Sequence, residues 1–202
     1  MEKADLHPLS LNRIENIFFL NGITSLLGWN AALGALDYFS YVWEGFNVYL
    51  YFPVPVFIAY AVTGISFRWI TTRFSYTNIV KTGVIGLNIM LTLLVLISII
   101  FKNSINLGFA LTLVTGFFLG FFNNFVQLSF FGMINYFGMQ TVSRFTIGTA
   151  ASGLMVIIIR AIITGIFGDD QSNVVPIVIY FCISIAFNFF DLWLNLRLFK
   201  TE

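Results

Sequence analysis

Four polar side chains interrupt otherwise apolar stretches of the chain, and their chemistry suits hydrogen bonding to a polar solute. Asn123, Asn124 and Gln127 lie in the uncharged run 103–143, and Arg160 lies in a later run. An amide both donates and accepts hydrogen bonds, so Gln127 suits the polar edge of a planar ligand. An arginine within an apolar helix needs a cavity or a partner, because exposure to lipid costs at least about 2.5–3.5 kcal/mol.

A second candidate surface lies in the first apolar stretch. Spacings of three and four residues place Leu26, Trp29, Asn30 and Leu33 on one helix face. One interpretation is an aromatic and amide surface that meets a planar polar solute. The other is an interhelical hydrogen bond from Asn30, with Trp29 as packing. The spacing alone leaves both interpretations open.

The segment from Gly116 to Thr164 predicts two helices with polar stripes. At 100° per residue, one stripe contains Gly116, Gly120, Asn123, Gln127 and Phe131. The second stripe, beyond a break expected from Gly138 to Arg144, contains Thr149, Gly153, Arg160 and Thr164. Small residues beside embedded polar ones predict that the two helices pack together in a membrane around a polar interior. The GxxxG pair Gly116 and Gly120 mainly indicates close helix approach.

The partner of Arg160 follows from the positions of the acidic residues. Asp37, Asp169 and Asp170 are the candidate carboxylates, whereas Asp191 lies near the opposite end of the last apolar stretch. Such a pair would be either a structural contact at a helix end or a gate.

The composition predicts an integral membrane protein. Hydrophobic residues make up 58% of the chain and charged residues 9%, whereas soluble domains carry about 25% charged residues. A net charge of +1 offers no basic patch for nucleic acid. The single cysteine, Cys182, and the single histidine, His7, provide no zinc site or nucleophilic triad. We therefore expect no enzyme activity, no cofactor and no metal.

Charged residues divide the chain into six candidate spans of about 20 residues each, the length that crosses a bilayer. Pro53 and Pro55 stand near the start of the second span, where proline is tolerated. We predict one transmembrane domain, residues 1–202, without a cleaved signal peptide. The predicted spans are about 17–36, 45–67, 82–101, 107–136, 145–167 and 174–196.

The distribution of lysine and arginine predicts the orientation. Both termini are expected on the positive side, whether cytoplasm or matrix, with only Lys102 among the basic loop residues on the other side. The mitochondrial inner membrane and the plasma membrane are alternative locations. Four aromatic residues fit the interfacial belt: Trp43, Tyr49, Tyr51 and Trp69.

Taken together, these residues resemble the N-terminal half of the equilibrative nucleoside transporter family. The segment GITSLLGWNAALGALDYF, residues 22–39, is similar to the opening pattern of that family. Residues 125–153 resemble its fourth and fifth helices, through Gln127, Ser129, Phe131-Gly132, Gly148 and Ser152-Gly153. Arg160, Arg73 and Lys81 also agree with the family pattern.

The resemblance implies a six-helix bundle like one half of a major-facilitator-like transporter. It implies that Leu26, Trp29 and Gln127 line an ancestral nucleoside site, with Gln127 meeting the base. It assigns Asn30, Gly148 and Gly153 to helix packing. The chain departs from the family at Gly28 and Gly138, which replace prolines, and at Thr141, which replaces a tyrosine.

The number of spans shapes the functional expectation. The family has eleven spans, and alternating access rocks one bundle against another. The chain, which reads as a complete product, supplies only one bundle. We expect a structural or accessory subunit of a larger membrane complex, organellar and energy-converting, whose other subunits order the tail Met1–Asn12. The alternative is an active nucleoside carrier working as a dimer or with a separate second half. A channel would need a continuous polar stripe, which the helices lack.

Overall fold

The computed structural model describes residues 8–134, 137–168 and 173–198. Within these ranges, six helical segments are long and apolar enough to cross a membrane, so the prediction of six spans is confirmed. Residues 1–7 of the N-terminal tail, together with Asp169 and Asp170, lie outside the described residues. The helices are α1 (Pro8–Gly34), α2 (Leu36–Val42), α3 (Val48–Tyr51), α4 (Pro53–Thr71), α5 (Tyr76–Ile100), α6 (Ile105–Ile134), α7 (Met139–Phe167) and α8 (Val174–Leu198).

The helices continue beyond the charged residues that the sequence analysis took as span limits. The first apolar segment runs through Asp37 to Val42, because the Asp37 carboxylate is paired within the bundle. α5 begins before Lys81, and α4 passes Arg68. The predicted break from Gly138 to Arg144 is wrong, because α7 starts directly after Gly138. The φ of Gly138 is 93°, a value that glycine adopts readily.

The bundle has a front layer of four helices in the order α4, α6, α1 and α7. Behind them, α5 packs against α6, α8 packs against α1, and α5 and α8 pack against each other. The two helices predicted in 116–164 contact each other near their connecting turn, where Phe130 and Phe131 meet Phe145, but they do not pair along their length. α6 and α7 both pack on α1, which lies between them, because small residues let α1 and α7 approach closely.

The same helix contacts occur in both halves of the bundle. This is seen when each of the first three spans is exchanged for its counterpart among the last three: α1 for α6, α4 for α7 and α5 for α8. The pair of α1 with α7 then corresponds to α6 with α4, and the pair of α5 with α6 corresponds to α8 with α1. The pairs α1–α6 and α5–α8 correspond to themselves. The six main helix pairs therefore match between the two halves of the bundle, whereas the smaller α7–α8 and α1–α5 contacts do not.

The core lies between the layers, towards the end where α1 continues into α2. Trp43 is fully buried there, directly after the end of the first apolar segment at Val42. Its ring packs against Gly108, where a side chain would collide with it. The other three aromatic residues of the predicted belt are exposed: Tyr49, Tyr51 and Trp69.

Candidate functional site

One stripe of α1 is only partly covered by the bundle. Leu26, Trp29, Asn30 and Leu33 are half-buried, whereas Leu27 and Ala31 between them are fully buried. The predicted face therefore lies on the outer side of the front layer. The Trp29 ring meets Phe57 of α4 edge to face, with ring centroids 5.7 Å apart.

Asn123 of α6 connects three helices beside this stripe. Its side-chain oxygen accepts from the backbone N–H of Trp29 at 3.3 Å, and its nitrogen donates to the Ser25 carbonyl at 2.9 Å. These two groups lie one helical turn apart on α1. The same nitrogen donates to the Tyr60 hydroxyl of α4 at 2.8 Å. Asn123 therefore holds the α1 backbone at Trp29, and α4, against α6.

Gln127 lies one turn beyond Asn123 on α6 and is half-buried. Asn124, its neighbour, donates to the Tyr60 backbone carbonyl at 3.0 Å. The side chain of Gln127 forms no hydrogen bond with the other described residues. Its amide therefore remains available near the crossing of α1 and α6.

Asn30 makes an interhelical contact to α7. Its side-chain nitrogen donates to the Ser152 hydroxyl at 3.0 Å. Gly153 lies beside this contact with room to spare, because an added Cβ would come no closer than 3.9 Å to Asn30 Nδ2. The geometry of Asn30 therefore agrees with the interpretation as an interhelical hydrogen bond. Gly153 is not required for a close approach of α1 and α7.

Gly148, by contrast, lies at a close crossing of α1 and α7. A Cβ added to Gly148 would collide with the backbone carbonyl of Phe19, and one added to Gly22 with that of Phe145. The Gly120 position of the GxxxG pair has the same character, because its added Cβ would lie 2.8 Å from the Val56 carbonyl oxygen of α4. Close approach at this motif is confirmed.

Arg160 binds Asp37, one of its predicted partners. The guanidinium donates to the Asp37 carboxylate and to the Gly34 carbonyl at the end of α1. The Tyr49 hydroxyl donates to the same carboxylate, so this cluster connects three spans. A cavity of about 80 Å³ opens beside it. The buried Tyr180 hydroxyl, also at this cavity, has no partner among the described residues.

Sequence reasoning missed a polar stripe on α8. Ser184, Asn188, Asp191 and Asn195 are fully buried there. Their spacings of four, three and four residues follow one helix face, a signal that was available in the sequence. Asn188 donates to Asn88 of α5 at 2.8 Å, and Asn195 is hydrogen-bonded to Asn21 of α1. The polar face of α8 therefore packs inward against α5 and α1.

These helices and their buried polar contacts define an integral membrane protein built as a six-helix bundle. No protein-family model, curated protein or solved structure matches the chain. Among the described residues, no three histidine, cysteine or acidic side chains lie together as metal ligands would.

Proposed function

We propose that this protein is one bundle of a larger membrane assembly, with a structural or accessory role, and that it is related to the N-terminal half of equilibrative nucleoside transporters. The observation that carries the proposal is the open face. We define this surface by seven half-buried residues of the front layer: Leu26, Trp29, Asn30, Leu33, Gln127, Thr149 and Gly153.

Polar groups on the open face favour a covering partner over lipid. The Gln127 amide forms no hydrogen bond within the described chain, and an unpaired amide in hydrocarbon costs several kcal/mol by transfer scales, about 4–8 in the extreme case. A second bundle packed on this face would offer it partners and exclude lipid. The matching helix pairs of the two halves support the relationship, because nested inverted repeats of three helices are typical of major-facilitator halves.

The contacts inside the face favour a structural role. Asn30 is engaged by Ser152, Asn123 by α1 and Tyr60, and the Trp29 ring by Phe57. A solute would have to compete with these contacts or bind beside them.

The Gln127 amide, which forms no hydrogen bond within the described chain, favours a second candidate function. This function is a facilitative nucleoside carrier formed with a second bundle. Asn123 contacts the Trp29 backbone, and Gln127 lies one turn from Asn123 on α6. The side chains of Trp29 and Gln127 can therefore face one solute. This carrier predicts saturable uridine or adenosine uptake into liposomes that falls in Trp29→Ala and Gln127→Ala.

The test combines particle mass with shielding of the open face. A lipid-soluble photoactivated carbene reagent, which inserts into side chains that face hydrocarbon, is applied to native membranes. Its insertion is compared at Leu33 on the open face and at Ile89 on the back of α5, which is 50% exposed. We expect little insertion at Leu33 and strong insertion at Ile89. After mild detergent extraction we expect a particle several times heavier than the 22.9 kDa chain.

Two results would separate the alternatives. A particle of one chain, with Leu33 labelled as strongly as Ile89, would contradict assembly. A particle of two bundles with uptake sensitive to Trp29 and Gln127 would establish the carrier instead. In the structural role, Gln127→Ala leaves the particle mass unchanged, whereas charge reversal at Lys3 in the N-terminal tail releases the subunit.

A further inference from the structure

A buried carboxyl group lies between α1 and α8, at the end of the bundle where α1 begins. Asp191 of α8 is fully buried, as are Asn21 of α1 and Asn195 of α8. One terminal atom of the Asn21 amide lies 3.0 and 3.2 Å from the two Asp191 carboxyl oxygens. An ionised Asp191 can therefore face only the nitrogen of the Asn21 amide, whereas a neutral Asp191 can donate to its oxygen.

The first orientation of Asn21 presents its oxygen to Asp191. In this orientation the two asparagines form a reciprocal pair, with the Asn195 nitrogen donating at 2.6 Å and the Asn21 nitrogen donating at 3.1 Å. The Asn21 oxygen then lies 3.0 Å from a carboxyl oxygen, and two acceptors at this distance require a proton between them. The reciprocal pair is thus compatible with the neutral acid, which donates to Asn21.

The second orientation presents the Asn21 nitrogen, which suits an ionised carboxylate. The nitrogen of Asn21 then faces that of Asn195 at 2.6 Å, and the two side-chain oxygens face each other at 3.1 Å. Turning Asn195 as well would place its oxygen 2.8 Å from the Asp191 backbone carbonyl, where its nitrogen now donates. Ionisation therefore breaks either the asparagine pair or the hydrogen bond from Asn195 to the Asp191 backbone carbonyl.

A third side chain belongs to the same site. The Thr24 hydroxyl, one turn from Asn21 on α1, lies close to the Asp191 carboxyl group. It is fully buried and has no hydrogen-bond partner among the described residues. A carboxyl oxygen can accept from this hydroxyl in either state, and the ionised carboxylate is the stronger acceptor, so the site contains a donor that stabilises the deprotonated state.

Charged groups on the surrounding helices are engaged elsewhere or exposed. Glu15 of α1 pairs with Arg144 of α7 at 3.6 Å, and Arg197 of α8 stacks on the Trp193 ring. Lys81 of α5 is exposed. Within the described chain the ion pairs are Glu15–Arg144 and Asp37–Arg160, and neither includes Asp191.

We propose that Asp191, Asn21, Thr24 and Asn195 form a proton-binding site that links the α1–α8 contact to pH. With the proton bound, the carboxylic acid donates to Asn21 and the asparagine pair is complete. On release, the Asp191 O–H bond breaks, the proton passes to water at the nearby end of the bundle, and the Asn21 amide turns towards the carboxylate. The site does not depend on the proposed assembly.

Infrared spectroscopy of the purified full chain in nanodiscs tests the proton directly. At neutral pH we expect a carboxylic-acid C=O stretching band that shifts in D₂O and is absent from Asp191→Asn. Asp37→Asn, the matched control in the Arg160 pair, should retain the band. Loss of thermal stability with rising pH should be larger in wild type than in Asp191→Asn, because the amide cannot ionise.

A second variant allows the test to be made even if Asp191→Asn does not fold. Asn21→Leu removes the acceptor while nearly keeping the volume, so the wild-type acid band should move to higher frequency. The absence of an acid band from the wild-type protein at neutral pH would overturn the proposal. A band unchanged by Asn21→Leu, or retained in Asp191→Asn, would also overturn it.

Discussion

At the residue scale, Asn123 is the side chain that connects the open face to the interior. One amide contacts backbone groups of α1 on either side of a turn and the Tyr60 hydroxyl of α4. Hydrogen bonds between membrane helices average about 0.6 kcal/mol and reach about 1.7 kcal/mol. Because three contacts depend on this one side chain, Asn123 should lie at the upper end of that range.

We expect Asn123→Leu to lower the free energy of unfolding by about 1–2 kcal/mol, because it leaves the Tyr60 hydroxyl without its partner. A double-mutant cycle with Tyr60→Phe, followed by reversible unfolding in mixed micelles, should give a coupling energy of about 0.6–1.7 kcal/mol. The control cycle pairs Asn123→Leu with Tyr41→Phe, at an exposed tyrosine of α2, and should show no coupling. Equal coupling in both cycles would contradict a direct contact.

Arg160 and Gln127 show how much residue type alone can indicate. An arginine in an apolar helix required a partner, and position limited the candidates to Asp37, Asp169 and Asp170. The structure pairs it with Asp37. Whether an amide in such a helix is engaged or free depends on neighbours that are distant in sequence. Asn123 is bonded on three sides, whereas Gln127, one turn away, is not.

At the scale of helices, glycine position decides which pairs approach closely. The crossing of α1 and α7 depends on Gly22 and Gly148, whose missing side chains leave room for backbone carbonyls. Backbone atoms cannot move aside as a flexible side chain can. A methyl group at this crossing must therefore push the two helices apart.

Gly148→Ala and Gly153→Ala form a matched pair of substitutions on α7. We expect Gly148→Ala to lower stability by about 1–3 kcal/mol through overpacking against the Phe19 carbonyl. Gly153→Ala should be neutral or slightly stabilising, because its Cβ finds open space in a helix. Thermal unfolding in detergent measures both variants. A greater loss from Gly153→Ala would show that the crossing lies elsewhere.

At the scale of the whole molecule, charge predicts the orientation in the membrane. The loop around Thr72 and Arg73 is predicted to lie on the positive side, and the loop around Asn103 on the opposite side. Both loops are exposed at helix ends.

Cysteine accessibility tests this orientation. In a Cys182→Ser background, a membrane-impermeant maleimide applied to sealed vesicles of known sidedness should label Thr72→Cys only from the positive side, shared with the termini. Asn103→Cys should be labelled only from the other side. Labelling of both from one side would contradict an odd number of crossings between them, and exchanged labelling would reverse the orientation.

The sequence by itself determined the membrane class, the number of spans and the need of Arg160 for an acidic partner, because hydropathy, span length and the cost of a buried charge act locally along the chain. It did not determine which helices are neighbours. The placement of α1 between α6 and α7, the burial of Trp43 and the enclosure of Asp191 depend on contacts between residues far apart in sequence. In an apolar chain nearly every face is hydrophobic, so periodicity distinguishes poorly between lipid and protein neighbours. Only the tertiary structure, through glycine crossings and paired amides, decided which face points inward.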